Sequence, residues 1–333
     1  AAGIFYHYRR KRSGALMQFF KRKTQAGEEK DRDTGSIASE ATVDESQFEL
    51  THVGPYEIIA PVGRGGMGIV YKAIDRSRDE TIAIKVLDPS YDADRKRRRR
   101  DYLGREIMIA ASLNHPVIIK MKNQLVIQED RQGRMRRCLL MEYIDGYDLK
   151  KHIDDRDLSL KQMIALCIRL CEGLDHLHQN NIVHRDVKPA NFLFSRDGNQ
   201  VKIVDFGLSK AQTSWRTRFM KESGGTRIYM SPEQLRKKNL DARSDIFSFG
   251  VTMYELFTGR HPFRVGDQDD VKSLQKRIVS GRFKPEPPSK YNREIPPALD
   301  RIILKALRKS LDRRYQSVTE LLLDLTRLTG SRI

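Results

Sequence analysis

His184-Arg185-Asp186-Val187-Lys188-Pro189-Ala190-Asn191, followed after a short spacer by Val201-Lys202-Ile203-Val204-Asp205-Phe206-Gly207, is the stretch on which the reading of this chain turns. The apolar pair Ile182-Val183 leads into it, and Pro189 interrupts regular structure behind Lys188. Asp186 therefore sits on a loop, where a carboxylate can accept a proton from a hydroxyl. Lys188 can steady an anionic group beside it. Asn191 offers an amide oxygen to a hard cation, and Asp205, at the end of a short apolar strand, offers a carboxylate. Magnesium takes a few such oxygens and completes its shell with phosphate oxygens.

Towards the N-terminus, Gly63-Arg64-Gly65-Gly66-Met67-Gly68 has the G-x-G-x-x-G spacing. Glycines allow a backbone to approach phosphates closely. In a dinucleotide-binding fold this turn must open a helix. Here Ile69-Val70-Tyr71 follow, so the turn joins two strands and forms a flap over nucleotide phosphates. Lys85 lies on the next strand among Ile82, Ala83, Ile84 and Val86. A cation in that setting needs matching charge. Phosphates would supply it, together with Glu106 on the helix before Asn114-His115-Pro116.

Strands are expected over 56–60, 69–73, 81–87, 124–128 and 137–142, with a hairpin turn at Arg131-Gln132-Gly133. One helix is expected among them, over 102–113. After Gly146 the periodicity becomes mostly helical. This predicts an α+β molecule of two lobes, a strand-rich N-lobe with one major helix and a mostly helical C-lobe. The expected boundaries are a polar, basic segment over 1–50 and a folded domain over 51–333, with its N-lobe at about 54–145 and its C-lobe at about 146–330.

Taken together these motifs resemble the signature set of protein kinases, over about Tyr56 to Leu328. The set is similar to that of the eukaryotic-like (Hanks-type) Ser/Thr kinases of bacteria, of the transmembrane-receptor type. The resemblance implies a two-lobed kinase fold and transfer of the ATP γ-phosphate to protein Ser/Thr hydroxyls, with autophosphorylation and a place in signalling. ATP with Mg²⁺ would be the cofactors, and Mn²⁺ an alternative ion. Asp186, Lys188 and Lys85 would be catalytic, and Asn191 and Asp205 would hold the metal. Val62, Gly63, Gly65, Gly68, Val70, Ala83, Lys85, Glu106, Met141, Glu142 and Ile144 would form the ATP site, with Met141 as gatekeeper and Glu142-Tyr143-Ile144 as hinge. Lys188 and Thr226 together resemble the Ser/Thr class.

Further along, Gly225 to Glu233 resembles the peptide-binding end of an activation segment; Ser231, where the family often has Ala, reads as a change of little consequence. Glu233 would pair with Arg314, and Asp245 would cap the catalytic loop. Thr217, Glu222, Ser223 and Thr226 belong to the activation segment. Glu222 stands where the family commonly carries a phosphate, so its carboxylate could pair with Arg185 unmodified.

Competing classes fall short on particular residues. A binding module in the kinase fold normally loses one of the residues at Lys85, Asp186 or Asp205, all present here with Asn191, and a small-molecule kinase usually lacks the segment ending in Pro232-Glu233. The net charge of +18 invites a nucleic-acid reading, with Lys96 to Arg100 as its best feature, but that run precedes the Glu106 helix and reads as a solvated helix start. Specific nucleic-acid binding is not expected. Three cysteines, Cys138, Cys167 and Cys171, imply no disulfide framework and suit a reducing compartment. Cys167 and Cys171 fall on an amphipathic helix over 163–178 rather than in a zinc spacing. Aromatic residues at the start, then Arg9 to Arg12 and Lys21 to Lys23, look like the cytoplasmic edge of a membrane anchor. An anionic membrane surface is thus an expected partner besides protein substrates. The expected location is cytoplasmic, on its own or as the cytoplasmic part of a membrane-anchored kinase.

Overall fold

Alternation of side chains along Gly68–Asp75 (β3) and Glu80–Leu87 (β4) gives the first sheet two apolar faces. In the computed structural model, which describes residues 49–65, 68–88, 108–206, 224–266 and 269–330, His52–Val53 is β1, Tyr56–Gly65 β2, Met121–Glu129 β5 and Met135–Glu142 β6. The sheet order is β1-β2-β3-β4-β6-β5, with every pair antiparallel. The expected strands are all there, each longer than its apolar segment. The turn between β5 and β6 closes through Gly133 N–H donating to the Asp130 carbonyl, with Gly133 at φ +74.

Ile69, Tyr71, Ala73, Ile82, Ile84, Val86, Cys138 and Leu140 face outward into a roof core, which Leu50, Val53, Tyr56 and Ile58 complete. Val70, Ala83, Leu87, Leu139 and Met141 face the other way, into the core shared with the second lobe. Lys85 has the parity of this second face and is almost fully buried. Of the helix expected over 102–113, residues 108–112 are helical and 102–107 lie outside the described residues.

The second lobe begins with Gly146–Asp148 (β7), which pairs with Phe192–Ser195 (β8), itself paired with Val201–Ile203 (β9). Leu149–Asp155 (α1) and Leu160–Gln179 (α2) lie between. The second begins at Ser159, whose side chain accepts from Gln162 N–H while the Gln162 side chain accepts from the Ser159 N–H, a capping box. Cys167 and Cys171 are buried in α2, and burial pushes both thiols up. After Pro232–Leu235 (α3), Ala242–Thr258 (α4) is buried nearly all round and is the axis of the lobe. Val271–Val279 (α5), Pro297–Ala306 (α6) and Val318–Gly330 (α7) pack around it. Among the described residues no helix is long and apolar enough to cross a membrane.

Candidate active site

The two lobes meet where strand ends converge. Ile203 N–H donates to the Val117 carbonyl at 2.7 Å and Ile119 N–H to the Ile203 carbonyl at 3.1 Å, which joins the segment before β5 to β9. Directly after β9 the chain turns at Asp205, which has φ +61. A non-glycine residue in that region is strained unless its surroundings hold it there. Here Val204 N–H donates to the Asn191 carbonyl at 3.0 Å, and the Phe206 ring behind it is buried. The turn carries Asp205 across the cleft to Lys85, with Nζ to Oδ1 at 2.6 Å. Lys85 is buried and Asp205 partly open, so the pair lines the cleft wall.

A second cluster stands on the loop after α2. Lys188 Nζ lies 3.0 Å from Asp186 Oδ2. Asn191 Nδ2 donates to the Asp186 carbonyl at 2.7 Å and to its Oδ2 at 3.1 Å. Those two bonds leave the amide oxygen of Asn191 as its remaining polar atom, an oxygen donor beside Asp186. Asn191 and Asp205 each carry an oxygen donor of the kind a hard divalent cation takes. Arg185, at φ +67, is held by Asp245: His184 N–H donates to Asp245 Oδ2 at 2.7 Å and Arg185 N–H to Oδ1 at 2.8 Å. His178 Nε2 lies 2.8 Å from the same Oδ2, and Gln234 Nε2 donates to the Arg185 carbonyl. Asp245 belongs to the first turn of α4, so the loop hangs from the lobe's axis. His184 is fully buried; burial holds its pKa down, against the raising pull of Asp245 and Asp186.

Over the cleft, β2 and β3 approach as a hairpin whose last pair is Gly65 and Gly68. The three glycines are not equivalent. A Cβ on Gly63 or Gly65 would meet nothing within 4 Å, whereas one on Gly68, at φ +137, would stand 1.9 Å from the Val86 carbonyl oxygen. Only the third glycine is demanded by a close backbone approach, and it is the one beside the Lys85 strand.

Val62, Val70, Ala83, Met141, Glu142 and Ile144 lie on β2, β3, β4, β6 and the segment that leaves β6. Glu142 has a further task. Its Oε1 accepts from Lys120 N–H at 2.7 Å and from Lys202 Nζ at 2.6 Å, which ties the strand leaving the first lobe to β9 of the second. Glu106, Thr217, Glu222 and Ser223 lie outside the described residues, and Thr226 falls within a 3-10 turn over Gly224–Tyr229.

Glu233 and Arg314 meet as expected, Oε1 to Nη1 at 2.8 Å, and both are buried. Ser244 Oγ donates to the same carboxylate, and Arg314 also donates to the carbonyls of Arg308 and Arg243. Ser231 is not the inconsequential change expected of it. It is fully buried and caps α3 in a reciprocal bond with Gln234, which in turn holds Arg185. The S-x-x-Q spacing was the available signal. At the same end of the chain segment, Tyr229 OH donates to Glu255 Oε2, Lys150 Nζ lies 3.3 Å from Glu255 Oε1, and His261 Nε2 lies 3.0 Å from the Ile228 carbonyl.

This two-lobed arrangement is that of the protein-kinase fold. The sequence pattern of the family described as "Protein kinase domain" matches residues 56–324, and the chain belongs to that family. Among its relatives are a probable serine/threonine-protein kinase of Streptomyces coelicolor, 38% identical over 282 residues (82% of this chain, 39% of the relative), and the serine/threonine-protein kinase PknB of Mycolicibacterium smegmatis, 36% identical over 278 residues (82% and 43%). The chain therefore spans about two fifths of the length of these relatives. Among solved structures, the PknI kinase domain of Mycobacterium tuberculosis matches with a TM-score of 0.62 and 25% identity, over 84% of this chain and 98% of that one.

Proposed function

We propose that this protein is an active Ser/Thr protein kinase that transfers the γ-phosphate of Mg-ATP to protein hydroxyls, its own among them. The observation that carries the reading is the pairing of two clusters across one cleft: Lys85 with Asp205 at 2.6 Å, and Asp186 with Lys188 and Asn191 within 3.1 Å. Mg²⁺, when bound, would supply positive charge to the phosphates. Asp205 and Asn191 would hold that ion. Lys85 would orient the phosphates once Asp205 turns to the metal. Asp186 would accept the hydroxyl proton, and Lys188, already beside it, would face the transferring group. Val62, Val70 and Ala83 would enclose the adenine, with Met141 behind it and the backbone of Glu142 to Ile144 beside it. Glu106 would be the second carboxylate for Lys85. Phosphoryl transfer is mostly positioning and charge, so a cleft of this composition can perform it.

The activation segment would present substrate, with Thr217 and Ser223 as acceptors and Glu222 as a built-in negative charge for Arg185. The catalytic part works in the cytoplasm. The basic runs Arg9 to Arg12 and Lys21 to Lys23 would hold the chain at an anionic membrane surface. The test is incubation of fully dephosphorylated protein with Mg-ATP and a generic protein substrate, with phosphosites mapped by mass spectrometry. Phosphoserine and phosphothreonine should accumulate, and Asp186→Asn should abolish them with ATP still bound. Turnover at the wild-type rate in that variant would remove Asp186 from the mechanism.

A further inference from the structure

We propose that Arg136 is a positioning residue for the Gly-rich turn, and that residues 49–53 are the strap that keeps it in place. This rests on the reading of that turn as the nucleotide flap. Arg136 is buried to 3% exposure on β6, in the roof face of the sheet rather than in the cleft. A buried guanidinium needs partners. It has three: Glu49 Oε2 at 2.8 Å, Asp130 Oδ2 at 3.5 Å, and the Leu87 carbonyl, to which Nη2 donates at 3.3 Å. Asp130 is also engaged by Arg134. Glu49 is the other carboxylate and comes from the strap.

Leu87 is what connects this cluster to the flap. It is the strand partner of Gly68, and a Cβ on Gly68 would lie 1.9 Å from the Val86 carbonyl oxygen and 3.0 Å from the Leu87 Cα. Gly68 is packed directly against the Val86-Leu87 backbone, so a shift of that backbone shifts Gly68 with it. Arg136 fixes that backbone two residues beyond Lys85. The strap in turn fixes Arg136. Glu49 accepts from Arg131 N–H through its carbonyl at 3.0 Å, and the Tyr71 phenol bonds to its backbone. Thr51 accepts from Ile58 N–H at 2.9 Å, β1 pairs with the start of β2, and Leu50 and Val53 are buried in the roof core. The strap lies outside residues 56–324, the part that carries the family pattern. It directly follows the basic N-terminal segment in the sequence.

The test uses the full chain and follows KM for ATP, kcat and Tm. Glu49→Gln keeps the shape and removes the charge, and Arg136→Lys keeps the charge and removes the fork. Both should raise KM for ATP by up to roughly tenfold, the scale of one coupled charge pair, with kcat little changed. Val53→Ala thins the same core without touching Leu87; it should lower Tm and leave KM for ATP at the wild-type value. Parallel loss of Tm with wild-type KM in all three variants would reduce the strap to a stabilising cover and overturn the proposal. Lys85→Met serves as the reference. If it loses phosphotransfer while Glu49→Gln and Arg136→Lys keep wild-type KM, the positioning role alone fails. If Lys85→Met keeps full activity, the nucleotide reading of the cleft fails and the proposal with it.

Discussion

Two buried ion pairs, Lys85–Asp205 and Arg314–Glu233, have similar separations, 2.6 and 2.8 Å, and opposite surroundings. Lys85 is enclosed, but Asp205 keeps 28% of its side-chain surface and stands on a strained turn. Arg314 and Glu233 are exposed by 0% and 6%, and each has further hydrogen bonds, to Ser244, Arg308 and Arg243. A buried charge pair stabilises a fold only when its remaining valences are met, and removing one member then leaves the other stranded. Arg314–Glu233 meets that description. In the proposed function Lys85–Asp205 is a pair that opens, with phosphates and a cation replacing each partner for the other. The first pair should therefore act on activity and the second on stability.

The largest effect is expected from Lys85→Met. Phosphotransfer should fall on the order of 10²–10³-fold, the cost of one preorganised charge in a transition state, while Tm changes little. A Tm loss as large as that of an Arg314 variant would erase the distinction between the pairs. Next comes Arg314→Met, which strands a buried carboxylate and should cost about 3–5 kcal/mol in denaturant unfolding. The companion double variant Arg314→Met/Glu233→Leu should recover part of that loss, because both charges leave together. If the double variant were as unstable as the sum of its single variants, the pair would be no coupled unit.

How much of this was legible in the sequence follows from where the signals sit. Lys85, Asp186, Asn191 and Asp205 stood out in the sequence because each is a polar residue at a fixed offset in an apolar or turn-forming stretch. The Glu233–Arg314 and Asp245 contacts were expected from resemblance and are present at 2.7–2.8 Å. The strand framework was legible from alternation, and the ends of strands were not, since hydrogen bonding carries β2 through to Gly65. Arg136 was hidden. In Arg134-Met135-Arg136-Arg137 it reads as one more surface cation, and two of its contacts, Glu49 and the Leu87 carbonyl, are far away in sequence. Lys202 was also unremarked, although a lysine between Val201 and Ile203 poses the question that Lys85 poses, and it is answered by Glu142.

The smallest expected effect separates two buried parts of the second lobe by pH. His261 accepts Phe263 N–H at Nδ1, at 3.3 Å, and lies at 3.0 Å through Nε2 from the Ile228 carbonyl, which can only accept. The ring is therefore the neutral tautomer with its proton on Nε2. Burial holds its pKa down at about 4, with a further push from Arg264, while the Ile228 bond opposes the shift. The folded-state pKa lies below that of the unfolded chain, so the unfolded state takes up the proton first as pH falls. Stability from this residue is present above about 6.5 and is lost on the way down to about 4, on the order of 3 kcal/mol in all. Glu233 behaves differently. Burial raises its pKa, but the bonds and charge of Arg314 outweigh that and the net shift is downward. Its contribution is present above the ordinary glutamate range and is lost only as pH falls below it. Urea unfolding across pH 7 to 5 should thus report the buried histidines, His261 and His184, and not the ion pair. His261→Gln, which does not titrate, should reduce the slope in that window, leaving the share of His184, and should leave the loss below the ordinary glutamate range in place. An unchanged slope between pH 7 and 5 in the His261→Gln protein would assign the acid sensitivity elsewhere, with His184, also buried and shifted downward, the next residue to replace.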